Sequence, residues 1–303
     1  MKIKIMEVGP RDGLQNEPTS LSLEQKKIFI DLLVKAGHSD LEIGAFVNPQ
    51  KIPQMAGTLD LARSLTRSPP TNFWALVPND RGYQDARSAG IKHIAVFTAA
   101  SETFNQKNIN TSIDGSFKRF ETFMPAAKKE KIRVRGYVST CFGCPYEGKV
   151  NPKTVLKVTE RLLKLGVNEI SIGDTIGVAN PAQVRALTKQ LLKLTGPKKL
   201  ALHFHDTRGT ALANVLTGLE TGVQIFDSSA GGLGGCPYAP GAAGNLATED
   251  LLYMLHEMGL KTGVNLGWQV EAAQYVQKCL GRILPSRYLQ AALGQQSHCP
   301  PGN

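Results

Sequence analysis

The chain has 303 residues, 42% of them hydrophobic and 20% charged, with 30 Gly and 17 Pro. That length and apolar content exclude disorder and fit one large domain or two small ones with a core of their own. A membrane span is excluded as well, because apolar stretches such as Ile28–Val34 meet a charge, Asp31, well before the roughly 20 residues that cross a bilayer.

The 35 basic residues exceed the 25 acidic ones by 10, a balance that steers anionic partners toward the protein. The basic residues are scattered. The densest runs, Lys26-Lys27, Lys128-Lys129 with Lys131, and Lys198-Lys199, are short and carry no interleaved aromatics. Neither a nucleic acid nor a membrane is therefore expected as partner, and a phosphorylated small molecule fits better. Five Cys, an odd number in a chain too long to need disulfide staples, point to a reducing compartment. Lys2, Lys4 and Glu7 punctuate the first strand where a leader would need an apolar run, so the expected location is the cytoplasm.

Taken in order, the predicted strands are Ile3–Val8, Leu41–Ile43, Phe73–Val77, Ile94–Val96, Val134–Val138, Ile170–Ile172, Leu200–Phe204 and Ile225–Phe226, each four to seven residues or shorter and separated by helical stretches. Four helical patterns end at a glycine just before a strand, at Gly37, Gly90, Gly166 and Gly222, where a left-handed residue stops a helix. Ser22 with Gln25 has capping-box spacing, and Asn151-Pro152 and Asn180-Pro181 each place an N-cap before a first-turn proline. Eight strands alternating with eight helices over about 260 residues is the count of a (β/α)8 TIM barrel, an α/β fold. The alternative, a doubly wound open sheet, would show a Gly-rich phosphate turn after an early strand, whereas the first turn reads Gly9-Pro10-Arg11-Asp12-Gly13. A single catalytic domain is expected, with the barrel over about 1–263 and a short C-terminal helical extension over about 264–303, including a helix from about Asn265 to Cys279.

In such a barrel the residues after each strand share one mouth. Arg11 and Asp12 follow strand 1, Glu42 ends strand 2, Asp174 follows strand 6, His203 and His205 end strand 7, and a Gly-rich loop with Cys236 and Asn245 follows strand 8. His203 and His205 are two apart, so the pleat sends both imidazoles to one face. With Asp12 and Asn245 they make a mixed nitrogen and oxygen ligand set suited to Mg²⁺ or Mn²⁺. The alternative is a pair of hydrogen-bonded histidines at a strand end. Cys141-Phe-Gly-Cys144 has C-x-x-C spacing but no second pair, so it reads as a loop lining rather than a zinc site. The segment Asp227–Asp250 carries six Gly where a barrel needs a short connection, which reads as a mobile lid bearing a thiol.

The motifs EVGPRDGLQNE (Glu7–Glu17), FVNPQKIPQM (Phe46–Met55), RGYVSTCFGCPYEG (Arg135–Gly148), GDTIGV (Gly173–Val178), HFHDTRG (His203–Gly209) and the GGCPYAPGAAGNLATED loop together resemble 3-hydroxy-3-methylglutaryl-CoA lyases. The likeness runs from about residue 2 to 285. It implies a metal-dependent TIM-barrel lyase with the Arg-Asp-Glu signature Arg11, Asp12 and Glu42, acting on an acyl-CoA, and a homodimer. It further implies that Asp12, His203, His205 and Asn245 bind the divalent cation, that Arg11 stabilises the thioester enolate, that Cys236 sits on the catalytic lid, and that Glu42 and Asp174 order polar groups around the substrate. His203, Asp12 and Asp174 remain the alternatives for the base. The chain departs from the family pattern at Gly44-Ala45, where many relatives have Ser or Thr, at Pro18 and at Arg208. The implied reaction is retro-Claisen cleavage to acetyl-CoA and acetoacetate. The alternatives are a Claisen-type condensing enzyme of the isopropylmalate or homocitrate synthase kind, a lyase for a related 3-hydroxyacyl-CoA, and a barrel that binds an acyl-CoA without chemistry.

Overall fold

The computed structural model describes residues 2–65, 71–235 and 244–298. Eight parallel strands close into a barrel in sequence order: β1 (Lys4–Glu7), β2 (Asp40–Ala45), β3 (Asn72–Leu76), β4 (His93–Ala99), β5 (Arg133–Ser139), β6 (Glu169–Asp174), β7 (Leu200–Phe204) and β8 (Ile225–Ser228), with β1 paired to both β2 and β8. The (β/α)8 expectation holds, and closure removes the open-sheet alternative.

The helices around it are α1 (Leu23–Lys35), α2 (Thr58–Ser64), α3 (Asp80–Ser88), α4 (Glu102–Ile109), α5 (Ile113–Glu121), α6 (Met124–Lys129), α7 (Pro152–Leu165), α8 (Pro181–Thr195), α9 (Ala211–Thr221) and α10 (Thr248–Glu257), followed by α11 (Leu266–Leu280) and α12 (Arg287–His298). The capping boxes at Ser22 and Asn180 both form, and Asn151 accepts from Lys153 N. Gly166 and Gly222 stop α7 and α9 at φ values of 94° and 101°. The one-helix-per-strand expectation fails between β4 and β5, where three helices stand. Asn110 in the left-handed region ends α4, Ser112 caps α5, and Pro125 opens α6.

The two faces of the strands differ. Outward residues such as Ile5, Leu41, Ile43, Ile94, Val96, Val134, Val138, Ile170, Ile172, Leu202 and Phe226 join the helices in one apolar core. The alternate positions turn inward, and beside a small apolar cluster of Met6, Val8 and Trp74 they include the buried polar residues Asp40, Glu42, Arg135, Glu169, Ser171, His203 and Asp227. From the floor upward, Trp74 Nε1 donates to Asp40 Oδ1 (2.7 Å), Lys4 Nζ bridges Asp40 (3.3 Å) and Glu169 (3.0 Å), Arg135 Nη1 donates to Glu169 (2.7 Å), and Arg135 Nη2 donates to Asp227. A chain of buried charges is tolerated only when each member is paired, and here each carboxylate and cation has a partner. This network carries polarity from the floor to the mouth.

Candidate active site

A π turn over Gly9–Gly13 follows β1 at once and places the consecutive residues Arg11 and Asp12 at the C-terminal end of the barrel; such turns are frequent at functional sites. Close packing selects its glycines. A Cβ on Gly9 would stand 2.6 Å from Glu7 Oε1, and one on Gly13 would stand 2.7 Å from Ser229 Oγ. Glu7 ties this turn to the loop after β8: its Oε1 accepts from Gly9 N (2.7 Å) and Ala230 N (2.9 Å), and its Oε2 from Thr248 Oγ1 (2.6 Å).

Arg11 is nearly buried. Its Nε and Nη2 both reach Glu42 Oε2 at 2.7 Å, its Nη1 donates to Asp12 Oδ1 at 2.6 Å, and its guanidinium lies 5.2 Å from the centre of the Tyr137 ring. Glu42 Oε2 also accepts from Tyr137 Oη (3.0 Å), while its buried Oε1 has no hydrogen-bond partner. The neighbouring Gly44-Ala45 brings no hydroxyl to that oxygen, and the room at Gly44 is taken by Thr58, whose Oγ1 lies 2.8 Å from where a Cβ would stand.

His203 and His205 come off β7 on one face, as the pleat requires, with ring centres 5.3 Å apart. Asp12, His203 and His205 offer ligand atoms that all lie within 4.8 Å of one another; among the described residues no other set of three His, Cys, Asp or Glu does so. Asn245 is brought beside His205 by an isolated antiparallel bridge, and its Nδ2 donates to Asp12 Oδ2 (3.0 Å) and Leu233 O (3.1 Å). Asn245 Oδ1 and His205 Nδ1 are buried without hydrogen-bond partners. Burial pushes the Asp12 carboxyl up, but Arg11, His203 and His205 outweigh it and hold the group well below the usual carboxylate range. Burial, reinforced by His203, lowers His205 to about 4, so its imidazole is neutral at pH 7. For His203 burial is outweighed by the Asp227 hydrogen bond and charge, and its pKa rises. An ionised carboxylate, an unpartnered amide oxygen and a neutral imidazole are what a hard divalent cation requires of its donors.

The remaining site residues fall out as follows. Asp174 closes β6 with both oxygens taken, accepting from Val178 N and Ala179 N at 2.9 Å each, so it orders the loop after that strand. Arg208 donates to Ile176 O and Gly177 O at 2.9 Å each and ties the β7 loop to the β6 loop. Cys236 and Cys299 lie outside the described residues. Cys141 and Cys144 are free and buried: Cys141 Sγ donates to Val138 O (3.0 Å), and Cys144 Sγ pairs with Ser101 Oγ (3.1 Å).

The HMGL-like family model matches residues 2–276, nearly the whole chain. The chain belongs to the HMGL-like family. Hydroxymethylglutaryl-CoA lyase YngG of Bacillus subtilis is 48% identical over 289 residues, covering 95% of this chain and 97% of that protein. The crystal structure of hydroxymethylglutaryl-CoA lyase from Pseudomonas aeruginosa superposes with a TM-score of 0.95 at 44% identity, covering 97% and 98% of the two chains. An HMG-CoA lyase of Acinetobacter baumannii in complex with coenzyme A and 3-methylmalate superposes at 0.92 and 37% identity, covering 100% and 98%. As a member of this family the chain offers a possible metal-binding site at Asp12, His203 and His205.

The sequence reading missed Asp227, Arg135 and Tyr137, which stand directly behind His203 and Arg11. A signal was present: Arg135 and Tyr137 alternate in phase within β5, and a charge in mid-strand has nowhere to point but a polar interior.

Proposed function

We propose that this protein is a 3-hydroxy-3-methylglutaryl-CoA lyase, cleaving its substrate to acetyl-CoA and acetoacetate, with Mg²⁺ or Mn²⁺ held by Asp12, His203, His205 and Asn245. The observation that carries this reading is the convergence of Asp12, His203 and His205 beside a buried, pre-aimed Arg11, in a barrel close to half identical to named lyases along its length. The cation, when bound, would polarise the tertiary hydroxyl oxygen and lower its pKa.

Carbon–carbon cleavage leaves an enolate on the thioester, and Arg11 meets it. Glu42 and Asp12 fix the guanidinium from two sides, and the N–H groups they leave free on the terminal nitrogens supply donors where negative charge develops, with no reorganisation at that moment. Tyr137 and Glu42 act through Arg11, as the floor and side of its seat. Asp174 and Arg208 order the loops that flank the substrate. Cys236, on the Gly-rich loop, delivers the proton to carbon 2. The excess positive charge suits the CoA phosphates, toward which we place Lys51 and Lys107, on the segments that follow β2 and β4. The free thiols Cys141, Cys144 and Cys279 suit a cytoplasmic protein.

Incubation with 3-hydroxy-3-methylglutaryl-CoA and Mg²⁺, following acetoacetate, tests the reading. Acetoacetate formed in equal amount to acetyl-CoA is expected. No cleavage, together with release of free CoA from acetyl-CoA and a 2-oxo acid, would replace it by the condensing alternative.

A further inference from the structure

Directly behind His203 lies a carboxylate to which the reaction assigns no role. Asp227, on β8, is 1% exposed. Its Oδ1 accepts from Arg135 Nη2, and its Oδ2 accepts from Ser171 Oγ at 2.7 Å and faces His203 Nδ1 at 3.2 Å. Arg135 is itself fully buried and is held on its other side by Glu169 at 2.7 Å. The opposite ring nitrogen, His203 Nε2, stands 3.8 Å from Asp12 Oδ2. We propose that Asp227, seated by Arg135 and Ser171, is a positioning residue that holds His203 in the Nδ1–H tautomer and turns the bare Nε2 lone pair toward Asp12. The proposal rests on the reading of His203 as a metal ligand.

Donor and acceptor roles fix the tautomer of the ring. An ionised carboxylate has no proton to give, so the ring nitrogen that faces it carries the hydrogen. In a neutral imidazole the other nitrogen is then the acceptor, and a partner behind a ligating histidine fixes both its tautomer and its ring orientation. Asp227 cannot swing away, since both of its oxygens are engaged by side chains from other strands. Arg135 and Ser171 thereby hold the carboxylate in place behind His203.

Asp227→Asn makes the idea decidable. Arg135 can only donate, so the amide oxygen must stay on Arg135 and the amide NH₂ must take the place of Oδ2. His203 Nδ1 then has to accept, the ring proton moves to Nε2, and the lone pair is lost from the metal side. We expect Mn²⁺ affinity, read by electron paramagnetic resonance, to fall roughly 10- to 100-fold. In the metal-free protein at alkaline pH, ¹⁵N NMR of His203, assigned by its loss in His203→Gln, should show Nδ1–H in the wild type and Nε2–H in the variant.

Glu169→Gln is the control for a purely structural effect. It unbalances the same buried guanidinium from its far side without touching His203, so it should lower Tm while leaving Mn²⁺ affinity within about threefold of wild type. An Asp227→Asn protein with unchanged affinity, or a Glu169→Gln protein that loses as much, overturns the proposal. Should Asp227→Asn not fold, the wild-type tautomer decides alone, and Nε2–H there overturns it. Mn²⁺ affinity indifferent to His205→Ala would instead sink the metal-site reading, and the tautomer measurement keeps the two failures apart.

Discussion

Arg11→Lys probes the geometry of the site more sharply than removal of the side chain would, because it keeps the charge. In the structure the guanidinium makes three anchoring contacts of 2.6–2.7 Å, two to Glu42 and one to Asp12, and lies across Tyr137. A lysine ammonium is a point charge with three rotatable donors. It can satisfy Glu42 or Asp12, but it cannot bridge both and still present a fixed N–H to the enolate oxygen. The loss should resemble that of one oxyanion donor, about 3–4 kcal/mol or roughly 10²–10³ in kcat. Asp12 keeps its bond from Asn245, so the metal site should survive. The assay is steady-state acetyl-CoA formation with a parallel Mn²⁺ titration. A kcat within a few-fold of wild type would refute the role given to Arg11. A fall in kcat matched by lost Mn²⁺ binding would show that Arg11 acts by building the metal site.

Three further outcomes are expected. His205→Ala removes one donor from the ligand set, so Mn²⁺ affinity should fall about 10-fold or more and raised Mn²⁺ should partly restore turnover; full wild-type activity in excess chelator would contradict this. Alkylation of the native enzyme should inactivate it at Cys236 and be blocked by a substrate analogue with Mg²⁺, while Cys141 and Cys144, each 3% exposed, should be spared; peptide mapping that traces inactivation to Cys144 or Cys299 removes Cys236 from the mechanism. His38 is fully buried, with Nε2 2.7 Å from Gln269 Oε1, and burial lowers its pKa from 6.5 to about 4. A depressed histidine favours the fold above 6.5 and loses that contribution as pH falls toward 4. About 2 kcal/mol of stability should therefore disappear between pH 8 and pH 5 on account of this group. Urea unfolding of wild type and His38→Gln at both pH values measures it, and an identical pH dependence in the two proteins would refute the assignment.

The polar barrel interior explains where the reading from sequence stopped short. Hydropathy ends β2 at Ile43, β6 at Ile172 and β8 at Phe226, yet those strands run on to Ala45, Asp174 and Ser228. Asp174 and Asp227 lie in the added residues, and Glu169 opens β6 one residue ahead of its predicted start. A barrel buries both faces of a strand, and an inward face that holds ion pairs looks like a loop to any apolar pattern. Arg135 and Tyr137 lie inside the predicted β5, where only the direction of their side chains, into a polar interior, went unread.

Local signals determined much. The capping residues Ser22, Asn151 and Asn180 and the glycines Gly166 and Gly222 act through their own backbone and that of the next few residues, so their helix ends were legible without a fold. The Asp12, His203, His205 and Asn245 set was legible because strand ends share a mouth once the barrel is granted. Tertiary structure alone decided which partner each group received. Glu42 lies 31 residues from Arg11 in the chain, Asp227 lies 24 from His203 and 92 from Arg135, and Asn245 lies 233 from Asp12. Such pairings depend on strand register and closure, and it is register that turns a scatter of charged residues into one bonded line from the barrel floor to His203.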